Sequence, residues 1–222
     1  MADKTITRWR RERNAKRKSA GYLRQLLRKT NDRVRKLNAA IKRRSAKLAP
    51  APGMKDGWHP TAIRNQVQGG IGGYLNVPAK LVWHTTQGTS LPTYSGSHPH
   101  FTLDFKRRKL YQHIPITSGA MALENDPGGV ETNRAHAYQV ELVGFAEDAA
   151  KWTDADYAEI RKLARWIEKH GKVKRQCSVQ FKGTVNHMFA AQWYSYAGHC
   201  GHQHVPENAH WDPGLFQIGK VL

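Results

Sequence analysis

The chain has 222 residues, of which 36 are Lys or Arg and 17 are Asp or Glu, giving a formal net charge of +19. Hydrophobic residues make up 39% and charged residues 24%, a balance ordinary for a soluble chain long enough to bury a core without staples. No stretch approaches the roughly 18–20 apolar residues of a membrane-spanning helix, and two cysteines, Cys177 and Cys200, cannot build a disulfide framework.

The charge is unevenly placed. Residues 1–50 hold 18 Lys or Arg and 3 Asp or Glu, so +15, while residues 51–222 hold 18 and 14, so +4. The basicity belongs to an appendage, and it implies an anionic partner for that segment. The N-terminus is basic but no apolar run follows it, so no secretory signal is visible.

In chain order, residues 1–48 contain no Pro and one Gly, Gly21. From Leu23 the positions Leu23, Leu27, Thr30, Val34, Leu37, Ile41, Arg44 and Leu48 step by four and three. That period describes an amphipathic helix with a basic opposite face. A solvated helix resting on the domain and an anchor to anionic lipid or polymer both fit it. Ala49-Pro50-Ala51-Pro52-Gly53 ends the helix and stiffens a linker. The chain is therefore expected to divide into a basic amphipathic helical segment, 1–50, and a globular domain, 51–222.

Within the domain, Lys80–Thr85 reads as a buried strand and Gln87–Ser97 as a loop rich in Gly, Ser, Thr and Pro. His100–Leu103 and Lys109–His113 read as short strands around a basic turn, and Tyr138–Val143 as another strand. Thr153 offers an N-cap with Asp156 three positions on, opening a helix that carries Tyr157, Ile160, Leu163, Ala164 and Ile167 on one face and ends near Gly171. Strands followed by a helix predict a mixed α/β domain, a central mixed β-sheet flanked by helices. Gly198–Gly214 is dense in Gly, His and Pro and reads as a functional loop.

That last stretch holds His199, Cys200, His202, His204, Glu207, His210 and Asp212. Imidazole, thiolate and carboxylate are the donors zinc takes. Composition alone does not select among them, and a surface loop with incidental histidines has the same composition. His84, at the predicted end of a buried strand, is a further candidate, because strand ends are rigid and can present a ligand into a cleft.

Together these residues resemble the zinc-dependent N-acetylmuramoyl-L-alanine amidases of the type-2 amidase and peptidoglycan-recognition-protein superfamily. The resemblance rests on Trp83-His84-Thr85, His100-Phe101-Thr102, Asn133 with Val140-Glu141-Leu142, and Gly201-His202 with Asp212-Pro213-Gly214, in that order over about Leu81–Phe216. Val205-Pro206-Glu207-Asn208 and His210-Trp211-Asp212 look like endolysins of bacteriophages that infect actinobacteria.

The resemblance implies that His84, His202 and Asp212 ligate Zn2+ and that Glu141 is the general base. It implies hydrolysis of the amide between N-acetylmuramic acid and L-alanine, with bacterial peptidoglycan as partner. Many members carry Lys two residues before the closing Asp to stabilise the oxyanion; this chain has His210 there. Tyr94 is a second candidate for that task. Cys200 reads as structural and available to pair with Cys177, His100 as lining the cleft or supporting a ligand from behind, and His204 is unassigned.

On this reading residues 1–50 target the enzyme to anionic envelope polymers or lipids. The protein is made in the host cytoplasm without a signal peptide and acts at the cell wall. A non-catalytic peptidoglycan-binding module is the alternative, and the intact ligand set argues against it. No specific nucleic-acid partner is expected, since the charge is confined to the appendage and no base-reading motif occurs.

Overall fold

The computed structural model describes residues 56–66 and 69–222. The helix read over 1–50 lies outside the described residues, and so does the linker that follows it.

Six strands form one sheet: β1 (Ile63–Arg64), β2 (Lys80–Thr85), β3 (Phe101–Asp104), β4 (Lys109–Gln112), β5 (Ala137–Leu142) and β6 (Gly198–Gly201). Their order is β1-β4-β3-β5-β2-β6. Only β3 and β4 pair antiparallel, joined by the basic turn; every other neighbour is parallel. The domain is thus mixed α/β, as its sequence pattern predicts. Two helices are present among the described residues, α1 (Asp154–Gly171) and the short α2 (Ala190–Ser195).

Alternation along the strands sends Leu81, Trp83, Phe101, Leu103, Tyr138, Val140 and Leu142 to one face. There they meet the stripe of α1 formed by Tyr157, Ile160, Leu163, Ala164 and Ile167. Each of the large aliphatic and Phe side chains contributes roughly 1.5–3 kcal/mol when taken from water into the core. The α1 start is set as expected: Thr153 accepts from the Asp156 amide at 3.2 Å while the Asp156 carboxylate accepts from the Thr153 amide at 2.8 Å.

The opposite face carries a smaller core of Val82, Ala137, Met188, Trp193, Tyr196, Cys200 and Val205. Beyond it, towards the C-terminal ends of the parallel strands, the same face turns polar. In register there stand Thr102, Glu141 and His84, one from each of β3, β5 and β2. Crevices at that end of a parallel sheet are where α/β folds bind ligands.

Two sequence expectations change here. The stretch read as a loop from Gly198 begins as strand β6, fully buried and paired to β2 from Lys80↔Gly198 to Trp83↔Gly201. Its Gly-His-Cys-Gly composition has no strand signature; tertiary pairing along β2 overrides propensity. Cys177 and Cys200 are both free thiols. Cys200 lies in the smaller core, where burial pushes its thiol well up.

His100 is a core residue and does not line a cleft. Its Nδ1 accepts from the Gln139 amide at 3.0 Å, and its Nε2 lies 2.9 Å from the Ser118 carbonyl and 2.7 Å from the Tyr74 hydroxyl. Burial holds it neutral, with its pKa lowered to about 3. His113 and His199 are lowered to about 4, again chiefly by burial. Between the unfolded value near 6.5 and these folded values, the unfolded chain takes up protons that the folded chain refuses. The contribution of these histidines is therefore complete above about pH 6.5 and falls below it, by about 1.4 kcal/mol per pH unit for each such group. Glu141, whose pKa is raised from 4.5 to about 8 by burial and by Asp212, acts in the opposite sense between those values and offsets one of them between pH 6.5 and 4.5. Denaturant unfolding of the metal-free protein should show a net loss between pH 6.5 and 4.5; a rise across that interval would contradict it.

Candidate metal centre

His84 is the penultimate residue of β2, His202 follows directly on β6, and Asp212 sits ten residues further on. All three are buried. The approach of the chain near Asp212 to β6 requires glycine: a Cβ on Gly201 would lie 2.6 Å from the Phe181 ring and 2.7 Å from Pro213 Cδ. Gly214, at φ +68°, adopts the left-handed turn just beyond, where a Cβ would lie 2.2 Å from the Ala146 carbonyl oxygen.

The three donor atoms converge. His84 Nδ1 lies 3.1 Å from His202 Nδ1, and His202 Nδ1 lies 3.1 Å from Asp212 Oδ1. His84 Nδ1 is 4.0 Å from Asp212 Oδ2, the oxygen that accepts the Thr85 amide at 2.9 Å. A tetrahedral zinc with bonds of about 2.0–2.2 Å separates its ligand atoms by about 3.3 Å. Two imidazoles and a carboxylate at this spacing fit a divalent cation in donor type and in reach, and three protein ligands leave a fourth position open.

The electrostatics agree. Burial and the neighbouring His202 lower the His84 pKa to about 3, so its ring is neutral and able to bind a cation. Burial works against charge on Asp212, but the hydrogen bond and charge of His202, with His84 and the Thr85 amide, outweigh it and hold the carboxyl below its usual range. Glu141 stands opposite His84 in the sheet, and its shielded Oε2 has no hydrogen-bond partner. Burial and the negative charge of Asp212 raise its pKa to about 8. A shielded, unpartnered carboxylate beside a cluster of donors is what a general acid–base group requires.

The other candidates fall into place individually. His210 stacks on His202 with ring centroids 4.5 Å apart and an interplanar angle of 10°, and its exposed ring lies 3.9 Å from Glu124 Oε1. It borders the donor cluster without joining it. Tyr94 reaches back from the Gln87–Ser97 loop to bond Thr102 Oγ1 at 2.7 Å, and burial, with Glu141 as a smaller cause, raises its pKa.

His199 faces the other way: its Nδ1 accepts from Trp83 Nε1 at 3.3 Å and its Nε2 lies 3.2 Å from Glu168. His204 accepts from the Gly201 amide at 2.9 Å and bonds the Gln180 carbonyl at 2.9 Å. Neither belongs to the donor cluster. Sequence reasoning gave no role to Asn208, whose Oδ1 lies 3.0 Å from His202 Nε2. Its amide is not a zinc-type donor, and in the sequence nothing sets it apart from other loop asparagines.

The fold has counterparts among solved structures. A selenomethionine derivative of AmpD superposes with a TM-score of 0.50 at 16% identity, over 76% of this chain and 97% of that one. The N-acetylmuramoyl-L-alanine amidase LysC from Clostridium intestinale URNW gives 0.45 at 13% identity, over 73% and 95%. Staphylococcus aureus hydrolase AmiA, in complex with its ligand, gives 0.40 at 11% identity, over 64% and 65%. At these identities the likeness is one of fold, and it rests on the first of the three. No protein-family model matches the chain, and no curated protein matches it.

Proposed function

We propose that the chain is a zinc-dependent N-acetylmuramoyl-L-alanine amidase, a peptidoglycan hydrolase acting as a phage endolysin. The observation that carries this reading is the convergence of His84, His202 and Asp212 beside the shielded carboxyl of Glu141. The fold shared with AmpD supports it.

A zinc ion held by the three residues would supply Lewis acidity to an amide carbonyl and acidify the attacking water. The chain's own groups do the rest. Glu141 takes a proton from that water as it attacks the carbonyl carbon. It returns the proton to the nitrogen of the leaving L-alanine as the C–N bond breaks. The products are a free lactyl carboxylate and a stem peptide with a free amine. His210, exposed beside His202, offers an N–H to the oxygen that gains charge. The Thr85 amide holds Asp212, so one carboxylate oxygen stays directed at the site.

Zinc uptake tests the ligand set directly. Equilibrium dialysis of the metal-free protein should give one zinc per chain, abolished in His84→Ala and His202→Ala. Full occupancy in either variant would remove that residue from the site.

The basic segment, 1–50, is proposed to hold the enzyme on anionic wall polymers or lipids, which raises local concentration without altering chemistry. Binding of the full chain to isolated walls should fall several-fold as salt rises from low to high, while turnover of a soluble muramyl peptide changes far less. Equal salt sensitivity of both would place the segment in the catalytic step. Synthesis in the host cytoplasm and action at the wall complete the proposal.

A further inference from the structure

The orientation of His202 is decided outside the donor cluster, by a residue that is not a ligand. Asn208 is fully buried. Its Oδ1 accepts the Glu124 amide at 2.8 Å and faces His202 Nε2 at 3.0 Å. Its Nδ2 donates to the Glu124 carbonyl at 3.2 Å and to the Pro206 carbonyl at 2.8 Å. All four hydrogen-bonding positions of the amide are therefore used.

The amide can sit only one way round. A backbone N–H donates on one side and two carbonyls accept on the other, so the oxygen must face Glu124 N and His202 Nε2. His202 Nε2 must then carry the proton, and in the neutral ring Nδ1 is left with its lone pair. Nδ1 is the nitrogen that lies 3.1 Å from both His84 Nδ1 and Asp212 Oδ1.

Asn208 also ties the site to the loop before β5. It pairs with Glu124 through both backbone groups, and its neighbour Glu207 accepts the Val130 amide at 2.7 Å. His187 Nε2 bonds the Asn208 carbonyl from the other side. The loop therefore fixes Asn208, and Asn208 fixes the ring.

We infer that Asn208 is a positioning residue that selects the Nε2–H tautomer of His202 and so directs its Nδ1 lone pair to the metal centre, with the Glu124–Val130 loop as its support. The meaning for metal binding rests on the zinc reading above; the tautomer itself does not.

The test uses the full chain labelled with 15N-histidine. In the metal-free wild type at neutral pH, His202 Nε2 should carry a proton, with or without a second one on the Nδ1 that faces Asp212; a ring whose single proton sits on Nδ1 overturns the inference whatever the variants do. In Asn208→Ala that preference should be lost, and zinc affinity by chelator competition should fall about 10–100-fold. Asn208→Asp keeps the acceptor and loses both donors. It should melt lower than wild type yet keep the tautomer and bind zinc within about threefold of wild type.

A purely structural role predicts that affinity follows the loss of melting temperature in both variants, and that result would overturn the inference. An unchanged tautomer in Asn208→Ala would do so as well. A wild type that shows the Nε2–H tautomer but takes up no zinc would sink the zinc reading and leave the orienting role standing.

Discussion

Replacing Glu141 by Gln is expected to lower turnover about 10²–10⁴-fold with zinc content unchanged, the range over which a positioned acid–base group acts. The substitution is nearly isosteric, and Oε2 has no hydrogen-bond partner to lose. It also removes a carboxyl whose ionisation burial opposes, its pKa being about 8 in the metal-free protein. Above that pH the metal-free wild type carries a shielded charge that the variant lacks. The variant should therefore equal or exceed wild type in melting temperature at pH 9 while being close to inactive. Activity within tenfold of wild type, with zinc bound, would remove Glu141 from the chemistry.

Asp212→Ala is expected to abolish hydrolysis and zinc retention together. Two histidines remain, but the only charged ligand is lost, and the Thr85 amide loses its acceptor. A buried amide left without a partner costs about 1–3 kcal/mol, so the fold should weaken without collapsing. Asp212→Asn separates the two effects, because it keeps an acceptor for Thr85 and removes the charge. It should regain most of the lost melting temperature and little of the zinc affinity. Equal recovery of both would make Asp212 a structural residue only.

Much of this site is legible in the sequence because its residues close regular elements. His84 ends a β-rich apolar run, and Glu141 sits inside another, so the pattern alone places each on a strand. Helix α1 was equally plain, as Thr153 and Asp156 mark its start and its apolar stripe keeps a 3.6-residue period. What pattern could not supply was β6: Gly198–Gly201 has neither β-branched residues nor alternation, and it is a strand only because β2 offers it an edge.

The separation of His202 from His199 and His204 was also beyond composition. It depends on His199 lying within β6 while His202 and His204 fall in the turn that follows it, and on partners distant in sequence, Trp83 and Glu168 for His199 and Gln180 for His204. The resemblance supplied that choice, and the sheet register supplies the physical reason for it. Asn208 shows the same limit: its role lies in four hydrogen bonds to groups that no sequence motif brings together.

Product analysis tests the central claim most directly. Purified protein would be incubated with isolated peptidoglycan, with and without a chelator, and the released material identified by mass spectrometry. The amidase reading predicts stem peptides beginning at free L-alanine, intact glycan strands, loss of release on chelation and recovery with added zinc. Disaccharide fragments, cross-bridge cleavage or release indifferent to chelation would contradict it, and protein that binds the wall but releases nothing would make the chain a recognition module.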